Sequence, residues 1–245
     1  MIEVEGFGKD YDGLRAVADL SFSVQAGEIL GLVGPNGAGK TTTLRAIAGI
    51  LRPTRGRIRV AGHDLEREAV AAKRALAYVP DTPHPYDLLT VGEHLRFTAL
   101  AYGVEDAEAR AGPLLAELEL LEKRDALAST LSRGMQQKLA IACAFLRDPR
   151  AILLDEPLTG LDPRGIRDMR ESIRRRAEAG AAVLVSSHLL ELVEKLGHRI
   201  LILHRGARLA LGTLGEIRAA AAIRQDATLE EAFFAITERG PAPPP

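Results

Sequence analysis

Apolar residues recur along this chain with two different periods. Short apolar runs at 29–33, 151–154, 182–186 and 200–203 are too short for helices and lack the alternation of a half-solvated strand. They predict strands buried on both faces. Between them, segments 42–51, 166–179 and 189–195 carry apolar residues at the three-to-four-residue spacing of an amphipathic helix. Strand and helix alternating in this way predict a largely parallel sheet covered on both sides. Further short strands are expected at 2–4, 20–24, 57–60, 76–79 and 207–211, with antiparallel pairing near the start, around the turn Asp10-Tyr11-Asp12-Gly13, and at 207–211. From Val91 to about Arg147 the pattern is helical throughout, with helices expected at 91–102, 113–121 and 135–146. A helical block is thus inserted between strands. Near the end, 229–236 reads as a short amphipathic helix, and the Pro-rich residues 240–245 are expected to be disordered. No solenoid-type repeat is present.

Composition narrows the partners. At 245 residues, with 47% hydrophobic and 27% charged side chains, the chain suits one large or two small domains with a substantial core. A formal net charge of −1 excludes a global basic field for nucleic acid or an anionic membrane. The absence of Trp, with 4% aromatics in all, disfavours stacking-based recognition of single strands. No apolar segment approaches the ~18–20 residues that span a bilayer, and Met1-Ile2-Glu3-Val4-Glu5 lacks the basic-then-apolar layout of a signal peptide. The chain is therefore expected to be soluble by itself, any membrane role coming through another subunit. The single cysteine, Cys143, lies in the apolar run 139–146. It excludes an internal disulfide framework, fits a reducing compartment, and is expected to be a packing residue rather than a reactive thiol.

The chemistry concentrates in few segments. Gly34-Pro35-Asn36-Gly37-Ala38-Gly39-Lys40-Thr41, followed by Thr42, matches the phosphate-binding pattern G-x-x-x-x-G-K-[ST] directly after a predicted strand and before a predicted helix. Backbone N–H groups close around phosphates, Lys40 reaches the terminal ones, and the Thr41 hydroxyl is placed for Mg²⁺. Asp155 ends a buried strand, where a carboxylate can hold Mg²⁺ through water opposite Thr41, and Glu156 beside it can polarise an attacking water. Leu131-Ser132-Arg133-Gly134-Met135 opens a helix with a hydroxyl and a bare backbone, a second place where phosphate could bind. Read alone, Asp155-Glu156-Pro157 could equally be a charged strand end, and Ser132 an ordinary helix cap. His63, His84, His94, His198 and His204 show no metal-ligand spacing.

Taken in order, 34–41, 131–135, 152–156, Leu158-Thr159-Gly160-Leu161-Asp162 and Ser187-His188 resemble the motifs of ATP-binding cassette (ABC) ATPases, and the likeness extends over about residues 1–212. The resemblance implies an α/β fold: a RecA-like P-loop NTPase core with a mostly parallel sheet, an antiparallel β subdomain and an inserted α-helical subdomain. It implies an ATPase domain at 1–212, its core at 1–85 and 150–212 and the helical subdomain at about 86–149, followed by a C-terminal helical extension and Pro-rich tail at 213–245. It assigns Tyr11 to stacking on adenine, Lys40 to the phosphates, Asp155 to the Mg²⁺ side, Glu156 to the general base and His188 to the γ-phosphate. Asp162 falls in the loop that signals between subunits, and Ser132 and Gly134 are the signature positions that touch phosphate. The cofactors implied are ATP and Mg²⁺.

Two positions depart from the family's usual pattern. The common signature LSGGQ reads LSRGM, with Arg133 and Met135 in place of Gly and Gln, and Asp81 stands where a glutamine usually contacts Mg²⁺ and senses the membrane subunit. A carboxylate is a harder Mg²⁺ ligand than an amide but repels the γ-phosphate unless the metal lies between. Both the variant signature and the segment 86–95 resemble bacterial exporters with separate membrane subunits. The expectation is an ATPase subunit that pairs head-to-tail with a second copy or another cassette around two Mg-ATP. It would drive a separate permease from the cytoplasmic face of the cell membrane, and direct binding to nucleic acid is not expected. A soluble cassette acting on nucleic acid or the ribosome fits less well, because the chain has one cassette, no sustained heptads and no basic block.

Overall fold

The structure, a computed structural model, describes residues 1–239. Its centre is a six-stranded sheet in the order β10-β9-β3-β8-β7-β6, formed by β3 (Ile29–Val33), β6 (Leu76–Val79), β7 (Ala151–Asp155), β8 (Ala182–Ser187), β9 (Arg199–His204) and β10 (Ala207–Gly212). All pairings are parallel except the β9–β10 hairpin. Every residue of β3, β7 and β8 is buried, as continuous apolar runs require in a sheet covered on both faces. The strand period of two assigns the faces. Ile152, Leu154, Val183 and Val185 enter one core, whereas Ala151, Leu153, Ala182 and Leu184 enter the other.

A four-stranded antiparallel sheet, β2-β1-β4-β5, covers the second core; it contains β1 (Ile2–Tyr11), β2 (Leu14–Val24), β4 (Arg55–Val60) and β5 (His63–Asp64). Its first hairpin is much longer than the strands expected at 2–4 and 20–24. Register shifts after Val4 and after Phe7 break the inside–outside alternation and so hide the strand from pattern reading. Helix α1 (Lys40–Ile47) follows β3 and stops short of the expected 51, and α2 (Ala69–Arg74) follows β5.

Between neighbouring strands β6 and β7 lies the helical block: α3 (Val91–Tyr102), α4 (Ala107–Glu117) and α5 (Arg133–Leu146). Pro113 sits inside α4 rather than at its start. A capping box opens α3, Thr90 accepting from the Glu93 N–H and Glu93 from the Thr90 N–H. At the far end of α5, Arg147 donates to the carbonyls of Lys73, Arg74 and Leu76 at 3.2, 3.3 and 2.8 Å and lies 3.4 Å from the Tyr102 ring centroid. The block is thereby fastened to the core. Cys143 is only partly exposed, and burial pushes its thiol up to about 11, so it stays protonated near neutrality and unreactive.

Helices α6 (Pro163–Glu178) and α7 (Leu190–Leu196) complete the crossovers. A third core forms where α7, α8 (Leu214–Ala220) and α9 (Leu229–Arg239) pack on Val33, Ile200 and Ile202. The disorder expected at 240–245 lies outside the described residues.

Candidate active site

Because β3, β7, β8 and β9 run parallel, their carboxyl ends share one edge of the sheet, the edge where open α/β sheets hold ligands. There a cleft of about 600 Å³ is lined by Tyr11, the loop residues 35–42, Asp81, Asp155 and Glu156, together with Leu14, Arg15, Ala16 and Arg205. The loop expected to bind phosphate runs from β3 into α1, whose N-cap is Gly39 without a side-chain cap. Its first N–H groups therefore face the cleft with the positive end of the helix dipole. Lys40 is buried, and its Nζ donates to the Gly34 carbonyl at 2.6 Å and the Pro35 carbonyl at 3.3 Å. Burial lowers its pKa, and the negative charges of Glu156 and Asp155 act the other way. Thr41 is exposed to the cleft.

Opposite the loop, Asp155 is buried at the end of β7. Its Oδ1 accepts from Ser186 Oγ at 2.5 Å and its Oδ2 from the Tyr78 hydroxyl at 3.5 Å. Burial first, and then the Asp155 charge, push the Tyr78 phenol up to about 12, so it remains a donor at every ordinary pH. Glu156 adopts the left-handed region at φ 51°, which costs a non-glycine residue about a kcal/mol or more and persists only when neighbours enforce it. Ser186 supplies the enforcement: the Glu156 N–H reaches both its carbonyl and its Oγ at 3.2 Å. The Glu156 side chain meets His188 Nδ1 at 2.8 Å. Asp155, Glu156 and His188 thus form one connected polar group. Sequence reading missed Ser186, whose role comes from lying opposite Asp155 in the parallel β7–β8 register; the only local signal is a hydroxyl pair ending an apolar run.

Tyr11 stands at the rim, about two-fifths exposed, with Lys9 Nζ 5.0 Å from its ring centroid. One face of the ring is held by a cation, which leaves an aromatic platform at the cleft mouth.

Gly34 and His188 stand just behind the lining, bonded to Lys40 and Glu156, whereas Ser132, Gly134 and Asp162 make no contact with it. Ser132 caps α5, its Oγ accepting from the Met135 N–H at 3.3 Å. Gly134 backs onto the loop before α6 so closely that a Cβ there would lie 2.9 Å from the Gly160 carbonyl. Asp162 caps α6 through the Gly165 N–H at 2.7 Å. Ser132 and Asp162 are exposed and Gly134 is half-buried, none of them in the lining of the cleft. The two unusual residues meet: Arg133 Nη2 lies 3.7 Å from Asp81 Oδ1.

A positive-ended helix start with a lysine, facing a buried carboxylate and a glutamate held by histidine, can bind a polyphosphate and direct water onto it. Comparison with known proteins agrees with that chemistry. A family profile described as "ABC transporter" matches residues 17–159. The chain is 39% identical over 213 residues to the Nod factor export ATP-binding protein I of Paraburkholderia xenovorans, covering 86% of this chain and 70% of that protein. Among solved structures it is similar to an ATP-binding subunit of an ABC transporter, at 38% identity and TM-score 0.92, over 97% of this chain and 99% of the other. A dimeric, post-hydrolysis ATP-binding cassette, MJ0796 with ADP and Pi, matches at 25% identity and TM-score 0.81, over 87% and 99%.

Proposed function

The chain belongs to the ABC transporter family of ATP-binding ATPases, and we propose that it works as a head-to-tail pair driving a separate exporter permease. The observation that carries this is the division of the site. Lys40, Asp155 and Glu156 line one cleft, with His188 bonded to Glu156, while Ser132 and Gly134 present a helix start outside that lining. One chain therefore holds two unlike halves of a phosphate site, and a second cassette placed head-to-tail completes both. The dimeric neighbour and the export relative support the same reading.

In this scheme Tyr11 stacks on adenine, the loop N–H groups and Lys40 hold the phosphates, and Glu156 accepts a proton from the attacking water. The water oxygen bonds to the γ-phosphorus as the bridge to the β-phosphate breaks, leaving ADP and phosphate. His188 orients Glu156 through Nδ1. The Thr41 hydroxyl and the carboxylates of Asp155 and Asp81 offer hard oxygen donors suited to Mg²⁺. When bound, the ion neutralises charge on the phosphates. Asp81, being a carboxylate, makes engagement more dependent on Mg²⁺.

No helix among the described residues is long and apolar enough to cross a membrane; in this scheme the coupled permease is a separate chain. The loop before α3 and the face of α3 expose Tyr86, Leu88, Phe97 and Leu100, with Leu88 and Leu100 84% and 79% exposed. Such an apolar cluster on a charged surface is suited to a cytoplasmic segment of that permease. Glu156→Gln tests the scheme: it should bind ATP, stop turnover and accumulate dimers by light scattering. A monomer under saturating ATP would overturn the head-to-tail arrangement.

A further inference from the structure

The cleft has a third cation that no motif marks. Arg205 begins the two-residue Arg205-Gly206 turn between β9 and β10 and is a lining residue of the cleft, with Tyr11 and the phosphate loop. Both turn residues have positive φ, 48° and 76°, as a tight hairpin of this twist demands. Gly206 is required for a second reason, since a Cβ there would sit 2.5 Å from the Ala16 carbonyl. The turn is fastened on both sides. The Ala18 N–H donates to the Gly206 carbonyl at 2.9 Å, and the Gly206 N–H donates to the Ala38 carbonyl, inside the phosphate loop, at 3.1 Å. Arg205 is thus carried on a rigid support bonded to the loop itself.

The other cations at the cleft are engaged. Lys40 bonds to loop carbonyls, and Arg15 lies 3.4 Å from Asp10. Arg205 forms no ion pair among the described residues. Sheet order then places it along the ligand. In the order β9-β3-β8-β7, Arg205 leaves from one side of the strand that feeds the phosphate loop. Asp155 and Glu156 leave from the other side, roughly 14 Å from β9 at three strand spacings. A nucleotide whose reacting phosphate faces Glu156 has its opposite end near Tyr11 and Arg205.

We infer that Arg205 is a further nucleotide-binding residue, which grips the α-phosphate end common to ATP, ADP and AMP rather than the reacting γ-phosphate. This rests on the cleft being the nucleotide site. The guanidinium is solvent-exposed, so its contribution is that of a charge-assisted contact weakened by water and by salt.

The test is calorimetric titration of the full chain with ADP, AMP and adenosine at low and high salt, for the wild type, Arg205→Ala, Arg205→Lys and Lys40→Ala. Arg205→Ala is expected to weaken ADP and AMP alike by about 3- to 10-fold at low salt. Arg205→Lys should keep most of the affinity, adenosine should be unaffected, and the deficit should shrink as salt rises. Unchanged ADP affinity in Arg205→Ala, with Lys40→Ala clearly impaired, overturns the role of Arg205 and leaves the cleft intact. Equal losses for adenosine and ADP also overturn it, by making Arg205 a packing residue of the adenine platform. Wild-type binding that Lys40→Ala does not alter refutes the cleft itself.

Discussion

Ser186→Ala isolates the contact that holds the carboxylate pair. Ser186 is fully buried, and its hydroxyl meets Asp155, itself 2% exposed, at 2.5 Å. A hydrogen bond to a buried charge is worth roughly 1.5–3 kcal/mol. After its removal the carboxylate keeps only the Tyr78 hydroxyl at 3.5 Å, too long to compensate. The second loss is smaller, because the Glu156 N–H retains the Ser186 carbonyl at 3.2 Å. For a chain of this size each kcal/mol lowers Tm by about 2–4 °C, so the variant should melt roughly 3–12 °C below the wild type. Scanning calorimetry reads the shift, and a cycle with Asp155→Asn assigns it. Against the neutral amide the same substitution should cost about 1 kcal/mol less, as neutral hydrogen bonds contribute only about 0.5–1.5 kcal/mol. Turnover should fall while nucleotide affinity measured without metal holds, since Glu156 loses part of the support for its left-handed backbone. A Tm within about 1 °C of wild type, or the same loss in both backgrounds, would refute the reasoning.

The Tyr78 phenol, pushed up to about 12, contributes stability that is complete below its ordinary value of about 10 and is lost as pH rises through the folded value. The near-UV absorbance difference between wild type and Tyr78→Phe should therefore show a tyrosinate step at about 12; a step already complete near pH 10 contradicts the burial argument. Asp81→Ala should raise the Mg²⁺ concentration for half-maximal, permease-coupled ATPase activity, and unchanged Mg²⁺ dependence and coupling would remove Asp81 from the site. The Asp81–Arg133 pair is exposed on both sides. Its coupling in a double-mutant stability cycle should be about 0.2–1 kcal/mol and vanish in concentrated salt.

What could be read from residue order follows the range of the interactions involved. The apolar runs of β3, β7, β8 and β9 were legible because both faces of each are covered, so no partner strand need be known. The phosphate loop was legible because strand, glycines and helix start are contiguous. The hairpin β1–β2 was only partly legible, since its register shifts scramble the alternation. The capping box at Thr213 and Glu216 is a local sign of α8, whereas α2 and β5 are too short to carry a period. Ser186 and Arg205 were invisible for another reason. One acts through a cross-strand register and the other through a turn brought back to the loop by the order of the sheet, and neither relation exists along the chain.

Helix α5 is held differently at its two ends. Arg147 fastens one end to the core through three carbonyls and a ring, while near the other end Gly134 seats on Gly160, Gln136 donates to the Ala128 carbonyl, Lys138 pairs with Glu119, and the exposed pair of Arg133 with Asp81 reaches the cleft. Between these ends the helix packs into the main core through Leu139, Ile141, Ala142, Phe145 and Leu146, so a tilt of the helix is a tilt of the helical block. The helix's 14 residues span about 21 Å, so a tilt of about 10° about the Arg147 end carries Ser132 through roughly 4 Å. The Arg133–Asp81 pair stands at the cleft, and in the proposed head-to-tail pair the start of the helix is the half-site offered to the second cassette. In that pair a small rotation of the helical block would move most at the place where the second chain registers.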